Sequence, residues 1–244
     1  MKKPLLLGHR GFSGVYPENT PLAFRKVAET AADGIETDVH LCKTGELVLC
    51  HDERVDRTSD GHGFIKDLTY DELMSLDFGA WKSPDFAGER IWTLGELLDF
   101  CKEAGLVLNL ELKNGIEFYP ELERRCAQEI RVRHMEDTVF VSSFNHVSMQ
   151  RFKELAPEIE TGLLYESPLQ NMGHYLDGCS ADNVHPCWHV FEYQPELIEL
   201  FHARGMKANV WTVNDEAAAR FLLDLGIDGL IGNYPDLLCR AAGR

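Results

Sequence analysis

The stretch PLLLGHRGFSGVYPENTPLAFRKVAETAADGIETDV, residues 4–39, sets the expected architecture because it holds a strand, a helix and a second strand in succession. The apolar run Pro4–His9 predicts a buried strand. A threonine followed by proline then opens the helical pattern Pro21–Ala31, and this pair suits the cap and the first position of a helix. The run Gly34–Val39 predicts the second strand. A helix between two strands is typical of a parallel sheet.

The same alternation of strands and helices continues through the rest of the chain. Seven further strand candidates are Leu47–His51, Val107–Lys113, Thr138–Ser142, Thr161–Tyr165, Asp182–His185, Lys207–Val213 and Gly229–Gly232. Helical patterns between them include Thr93–Glu103, Pro120–Arg133, Pro195–Arg204 and Asp215–Leu225. This alternation predicts a parallel sheet covered by helices, and 244 residues is a usual size for one α/β barrel.

The strand candidates number nine, whereas a closed (β/α)8 TIM barrel has eight strands. No helical pattern separates Gly34–Val39 from Leu47–His51, so we expect one of these two runs to lie outside the barrel. An open doubly wound sheet is the alternative, and it predicts a glycine-rich phosphate-binding turn after the first strand. The segment GHRGFSG, residues 8–14, lacks the glycine spacing of that turn. The sequence therefore favours the α/β class with a TIM barrel.

One segment, Glu53–Arg90, interrupts the alternation. It is too long for an ordinary connection between a strand and a helix, and it contains a short helical pattern of its own at Thr69–Leu76. We interpret it as a small inserted subdomain over one face of the barrel. No linker, repeat or low-complexity segment divides the chain, so the sequence predicts one domain over residues 1–244 with an insertion at about 53–90.

The composition limits the classes of partner. The net charge of −16 would repel nucleic acid and anionic membrane surfaces, so we expect neither as a partner, and a phosphate substrate needs locally concentrated cations. The apolar runs are too short for a membrane span or a signal peptide. Seven cysteines at scattered spacings fit reduced thiols. We therefore expect a cytoplasmic protein without stable membrane association, and the sequence leaves its oligomeric state open.

Polar side chains gather at the ends of four predicted strands. They are His9 and Arg10 after the first strand, Glu36 and Asp38 in the second, His51 after the third, and Glu111 and Lys113 in the fourth. In barrel enzymes the active-site groups collect at the carboxyl ends of the strands. The sequence therefore predicts that these seven residues lie at one rim of the barrel.

Three of these residues are carboxylates that suit a metal ion. Glu36 and Asp38 are two residues apart on a strand and so share a face, and Glu111 belongs to the next strand of the regular pattern. Carboxylates that converge inside a barrel repel one another and lose hydration, and such a cluster is rarely stable without a cation. A site made only of carboxylate oxygens favours a hard ion, Mg²⁺ or Ca²⁺, over zinc.

The remaining groups indicate a reaction. Arg10 and Lys113 can hold phosphate oxygens, the arginine through its fork and the lysine as a point charge. His9 and His51 belong to different strand ends, and histidine titrates near neutral pH, so one can act as base and the other as acid. A metal ion, two cations and two imidazoles suit the cleavage of a phosphodiester.

These residues lie in motifs that resemble the glycerophosphodiester phosphodiesterases over nearly the whole chain. The motifs are GHRG (8–11), PENT (17–20), IETDVHLCKTGELVLCHDERVDRTSDGHG (35–63), KDLTYDEL (66–73), LNLELK (108–113), SSFNH (142–146), WTVN (211–214) and GNYP (232–235). The ordered set is specific, although no single motif is.

The resemblance implies a (β/α)8 barrel that hydrolyses glycerophosphodiesters, such as glycerophosphocholine or glycerophosphoethanolamine, to sn-glycerol 3-phosphate and an alcohol. One divalent cation, Mg²⁺ or Ca²⁺, would be bound by Glu36, Asp38 and Glu111. By the same resemblance His9 and His51 are the acid/base pair, and Arg10 and Lys113 contact phosphate. Which histidine is the acid stays open, and so does the choice between a cyclic phosphate intermediate and direct attack by water.

Four further residues are candidates for supporting roles. Phe144 and Trp211 lie at or near strand ends and are predicted substrate contacts, with packing in the barrel core as the equal alternative. Glu18 and Asn19 are expected to brace Arg10 or the start of the first helix.

Two other functions fit parts of the pattern. A lysophospholipase D would use the same chemistry but needs an apolar surface for an acyl chain. A barrel retained only to bind a phosphate ligand would be expected to lack a carboxylate or a histidine of the set, and this chain has them all.

Overall fold

A computed structural model describes residues 3–244. The strands in chain order are β1 (Leu5–His9), β2 (Gly34–Leu41), β3 (Leu47–Leu49), β4 (Val107–Leu112), β5 (Val139–Ser143), β6 (Glu160–Tyr165), β7 (Asn183–Pro186), β8 (Lys207–Val210) and β9 (Gly229–Gly232). Eight of them form a parallel ring in the order β1-β9-β8-β7-β6-β5-β4-β2, and pairing of β1 with β2 closes it. The predicted TIM barrel is confirmed.

The ninth strand explains the surplus in the sequence pattern. β3 pairs antiparallel with the end of β2, with Val39 opposite Leu49 and Leu41 opposite Leu47. A two-stranded hairpin needs only a short turn, which is why no helix separates these strands. β3 therefore lies outside the barrel, and the expectation for one of the two runs is confirmed.

Most of the helices connect the barrel strands and cover them. They are α1 (Pro21–Ala28), α2 (Tyr70–Ser75), α3 (Leu94–Ala104), α4 (Leu122–Val132), α5 (His146–Leu155), α6 (Met172–Leu176), α7 (Val190–Tyr193), α8 (Leu197–His202), α9 (Glu216–Leu225) and α10 (Pro235–Ala241). α1 begins as its sequence predicts, because the Thr20 side chain accepts a hydrogen bond from the Ala23 N–H and Pro21 takes the first helical position.

The apolar core of the barrel has two parts. The larger cluster fills the layer between strands and helices and includes Phe24, Phe152 and Phe191. A smaller one lies among Leu7, Phe140 and Ile231. Because the apolar layer occupies the faces that strands and helices share, polar side chains can collect at the rim without disrupting it.

The segment between β3 and α3 has a small core of its own. It contains 3₁₀ turns at Ile65–Asp67 and Pro84–Phe86 besides α2. Buried side chains of the hairpin and the segment pack together, and they are Cys42, Val48, Cys50, Val55, Ile65, Leu73, Phe78 and Ile91. The segment thus has the character of a small subdomain; its limits at about 53 and 90 and the single-domain assignment stay predictions.

The longest helices, α3 and α4, have 11 residues each. Within residues 3–244, no helix combines the length and apolar character needed to cross a bilayer.

Candidate active site

Three carboxylates meet at the carboxyl end of the barrel. Ligand atoms of Glu36, Asp38 and Glu111 all lie within 4.8 Å of one another. The first two residues point to the same face of β2 because they are two apart, and β4 pairs with β2 so that Asp38 lies opposite Glu111. The predicted convergence of the three carboxylates is therefore what the strand register produces.

Burial and mutual repulsion act differently on the three carboxyl groups. Burial, followed by the charges of Asp38 and Glu111, raises the pKa of Glu36 well above its ordinary value. Burial also raises the pKa of Glu111, and nearby Asp38 adds to that effect. Burial alone would raise the pKa of Asp38 too, but the charges of Lys113 and Arg10 outweigh it and lower this pKa. The cluster is electrostatically unfavourable without further positive charge.

Asp38 has an oxygen that faces the cluster without a hydrogen bond. Its Oδ2 accepts a hydrogen bond from Asn19 Nδ2 at 2.9 Å. Its Oδ1 is buried and accepts no hydrogen bond from any group in residues 3–244, and Lys113 Nζ lies 3.7 Å away. A buried carboxylate oxygen without a donor is costly in protein alone. These observations fit a site for a hard divalent cation.

Two basic side chains border the acidic cluster. Lys113 Nζ donates to Glu111 Oε1 at 2.9 Å. Arg10 Nε lies 3.6 Å from Asp38 Oδ2, is buried and has no acceptor among the described residues. The backbone N–H of Arg10 donates to Glu36 Oε2 at 3.0 Å. Both cations thus lie at the cluster, and one of them retains an unpaired donor.

His9 lies on β1 directly beside the cluster. In the parallel register it is paired with Glu36, and its Nε2 is 3.8 Å from Glu36 Oε2. Its Nδ1 is 2.6 Å from Asn233 Oδ1. Burial, reinforced by the charge of Arg10, lowers the pKa of His9 to about 4. An amide oxygen accepts from Nδ1–H, so the lone pair is left on Nε2.

His51 follows β3 and has a different kind of partner. Its Nδ1 lies 2.7 Å from Asp52 Oδ1. Burial alone would raise the pKa of Asp52, but hydrogen bonds from Arg57 and His51 lower it to about 2. Buried His40 on β2 lies with its Nε2 3.3 Å from the backbone oxygen of His51. His51 thus has a carboxylate partner at Nδ1, whereas His9 has an amide oxygen there.

The two aromatic candidates form a pair. Phe144 follows β5 and Trp211 follows β8, and their rings meet edge to face with centroids 5.5 Å apart. Trp211 Nε1 donates to the His185 backbone oxygen at 2.7 Å, while 46% of Phe144 is exposed. Both rings therefore lie at strand ends, and their contact with substrate stays a prediction.

The site contains three hydrogen-bond partners whose roles the sequence did not predict. Asn233, Asp52 and Arg57 each hold a predicted residue or its neighbour through a side-chain hydrogen bond. Asp52 had a usable signal, because it follows His51 directly in the sequence. Glu18 braces Arg10 as expected, because it accepts from the guanidinium at 3.0 Å. The side chain of Asn19 instead bonds Asp38. A parallel barrel with such a rim has the architecture of a TIM-barrel enzyme.

Comparison with known proteins identifies the family. The sequence model of the Glycerophosphoryl diester phosphodiesterase family matches residues 9–237. The chain belongs to this family, and it is an enzyme of the glycerophosphodiester phosphodiesterase class.

Individual relatives cover almost the whole chain. A glycerophosphodiester phosphodiesterase of Caldanaerobacter subterraneus subsp. tengcongensis is 41% identical over 97% of this chain and 96% of its own length. One from Bacillus altitudinis is 36% identical, with 95% of each chain covered. The solved structure of an Oleispira antarctica phosphodiesterase, in complex with the product sn-glycerol-3-phosphate, has a TM-score of 0.90 and 31% identity. That comparison covers 99% of this chain and 97% of the other.

Proposed function

We propose that this protein hydrolyses glycerophosphodiesters, such as glycerophosphocholine or glycerophosphoethanolamine, to sn-glycerol 3-phosphate and an alcohol. The observation that carries the proposal is the meeting of three carboxylates, two cations and two differently partnered histidines at one rim. The Oleispira antarctica relative, whose structure holds sn-glycerol-3-phosphate, supports the product.

A divalent cation, Mg²⁺ or Ca²⁺, is part of the proposal, and Glu36, Asp38 and Glu111 would hold it. Members of the family generally depend on a divalent metal ion. The buried, unpaired Oδ1 of Asp38 and the mutual repulsion of the three carboxylates support such a site here. When bound, the ion would supply positive charge to the phosphate and the attacking oxygen.

Arg10 and Lys113 are proposed to bind the phosphate. Arg10 supports this role through its buried Nε, which has no acceptor among residues 3–244. Burial alone would lower the pKa of Lys113, but the charges of Asp38 and Glu111 outweigh it and raise this pKa, so the lysine is cationic at neutral pH. Both groups can therefore stabilise negative charge as it develops on the phosphoryl oxygens.

We assign the base to His9 and the acid to His51. His9 is neutral at pH 7 and holds an unprotonated Nε2 toward the cluster. It can remove the proton of the attacking hydroxyl, either of water or of the substrate's neighbouring glycerol hydroxyl. His51, with the Asp52 carboxylate at Nδ1, can carry a proton on Nε2 and donate it. As the bond from phosphorus to the alcohol oxygen breaks, that oxygen takes the proton.

The test is release of glycerol 3-phosphate by the purified protein from glycerophosphocholine and glycerophosphoethanolamine. Release should stop with chelator and return with Mg²⁺ or Ca²⁺. His9→Ala should lower kcat by about 10²–10⁴-fold, the usual contribution of general acid–base catalysis. His62→Ala removes a histidine that is 84% exposed and serves as the matched control. Normal turnover in His9→Ala, or full activity under chelator, would contradict the proposal.

A lysophospholipid is the second candidate substrate, and exposed apolar side chains favour testing it. Ile116 and Phe118 after β4 are 80% and 61% exposed, and Phe144 is half exposed after β5. An acyl chain would find apolar contacts on these loops. Comparing kcat/KM for glycerophosphocholine and lysophosphatidylcholine separates the two candidates, and a larger value for the lysophospholipid would favour the second.

A further inference from the structure

One arginine of the inserted segment joins two carboxylates of the rim. Arg57 Nε and Nη2 donate to the two oxygens of Asp52 at 2.7 and 3.0 Å. Arg57 Nη1 and Nη2 donate to the two oxygens of Glu18 at 3.0 and 2.7 Å. The guanidinium is therefore bonded to both oxygens of each partner.

Each of those carboxylates also holds a residue of the proposed chemistry. Asp52 Oδ1 lies 2.7 Å from Nδ1 of His51, and Glu18 Oε1 accepts from Nη1 of Arg10 at 3.0 Å. A continuous series of hydrogen bonds thus runs from the proposed phosphate ligand to the proposed acid. It crosses from the loop after β1 to the inserted segment, and Arg57 is its middle member.

We propose that Arg57 is a positioning residue that orients His51 through Asp52, with Glu18 anchoring the guanidinium on its other side. The inference rests on the function proposed above. It gives the inserted segment a part in the reaction, because this segment supplies the group that aligns the proposed acid.

The residue type suits this role. Only a planar guanidinium presents enough donors in a fixed fork to bond both oxygens of two carboxylates at once, whereas a lysine is a single point charge. Without Arg57, the Asp52 carboxylate would lose its second partner and be free to turn away from His51. At metal sites, loss of a partner that orients a ligand typically costs about 10–100-fold in activity, and we expect a loss of the same order here.

The test compares two leaving groups in Arg57→Gln. Glycerophosphocholine releases an alkoxide that needs a proton, whereas the p-nitrophenyl ester of glycerol 3-phosphate releases a stable phenolate that does not. We expect kcat for glycerophosphocholine to fall by about 10–100-fold and kcat for the p-nitrophenyl ester to fall by less than about 3-fold. A purely structural defect would lower both rates by the same factor.

Arg54→Gln is the matched control. Arg54 lies in the same segment, is 45% exposed where Arg57 is 43% exposed, and forms a fork with Asp56 at 3.1 Å. It should leave both rates within about 2-fold of the parent. If Arg57→Gln fails to fold by circular dichroism, Arg57→Lys, which keeps the charge but lacks the fork, is compared in the same way, with the same selectivity expected.

His51→Gln separates this inference from the proposed function. If His51→Gln lowers the rate mainly on glycerophosphocholine and Arg57→Gln does not, the positioning role is wrong while the acid assignment stands. If His51→Gln lowers both rates equally, the acid assignment is wrong and the inference falls with it. Equal losses on both substrates in Arg57→Gln, or no loss on either, would also overturn the inference.

Discussion

At the scale of single residues, the loop after β1 contains two residues with a left-handed backbone conformation. Arg10 has φ +55° and Asn19 has φ +56°. This conformation costs about 1–2 kcal/mol outside glycine, although asparagine tolerates it better than most residues. The cost is offset because the Arg10 N–H reaches Glu36, and Asn19 donates to Asp38 while it accepts from Thr37. The loop therefore keeps its shape through bonds to the site it helps to build.

Glu36→Gln is expected to lower the activity and to raise the stability of the metal-free protein. The amide keeps an oxygen for the Arg10 N–H but removes the charge repelled by Asp38 and Glu111. In chelator, the variant should melt about 2–4 °C above the parent, which corresponds to about 1 kcal/mol in a domain of this size.

Thermal unfolding by circular dichroism, with and without Mg²⁺, measures this effect. The variant should also lose the increase in Tm that metal gives the parent, since one ligand is gone. Glu103→Gln, an exposed change on α3, is the control and should leave Tm unchanged. A lower Tm for Glu36→Gln in chelator would contradict the repulsion argument.

The residues that could be predicted are those whose position depends on a strand. Glu36 and Asp38 share a face because strands repeat every two residues, and Glu111 arrives through the pairing of neighbouring strands. Asn233 could not be predicted, because it is 224 residues from His9 and only the closed barrel brings it near. The role of Arg57 could not be predicted either, because side-chain hydrogen bonds across an irregular segment follow no repeating pattern in the sequence.

At the scale of elements, β2 and β4 together determine the geometry of the acidic cluster. Seven of the eight residues of β2 are buried, and six consecutive residues pair with β4 from Gly34 opposite Val107 to Val39 opposite Leu112. The sequence placed the start of β2 correctly but ended it at Val39, whereas the strand continues to Leu41 because β3 pairs with its end. The length of a strand thus depends on the strand it pairs with, and local sequence patterns do not predict that partner.

Gly34→Ala should disturb this strand pair. A β-carbon at Gly34 would lie 2.0 Å from the backbone oxygen of Val107, so the two strands would have to separate. Overpacking of this kind costs about 1–3 kcal/mol, and it would also move Asp38 relative to Glu111. We expect a lower free energy of unfolding in urea together with weaker metal affinity.

Gly115→Ala is the matched control, because nothing lies within 4 Å of its β-carbon position. It should change the unfolding free energy by less than about 0.5 kcal/mol, as surface substitutions usually do. If Gly34→Ala were as stable as Gly115→Ala, the close approach of the two strands would not be the constraint that we describe.

At the scale of the whole molecule, the barrel interior carries polar groups below the site as well as in it. His185 on β7 is fully buried, and its Nε2 lies 3.0 Å from Asn209 Nδ2 on β8. A β-carbon at Gly162 would lie 2.5 Å from this ring, so the glycine makes room for the histidine. Burial lowers the pKa of His185 to about 3, although the charge of Glu160 opposes the shift. The native barrel therefore holds this imidazole neutral.

This burial predicts a pH dependence of stability. In the unfolded chain His185 has an ordinary pKa of 6.5, so between pH 6.5 and about 3 the unfolded state binds a proton that the native state excludes. The unfolding free energy then falls as pH falls, by up to about 1.4 kcal/mol per pH unit from this one group. From pH 7.5 to pH 5 the loss attributable to His185 is about 2 kcal/mol.

His185→Gln removes the titrating group at similar size. The variant should be less stable than the parent at pH 7.5, since it disturbs the bond to Asn209, and this difference in unfolding free energy should narrow by about 2 kcal/mol at pH 5.

Phe140→Leu, a change to the ring that packs against His185 with centroids 5.6 Å apart, is the control for packing alone. Its difference from the parent should be the same at both pH values, because it alters no proton count. Urea unfolding of the three proteins at pH 7.5 and 5 gives the answer. If the unfolding free energies of His185→Gln and the parent differed as much at pH 5 as at pH 7.5, the native barrel would have to bind a proton at His185.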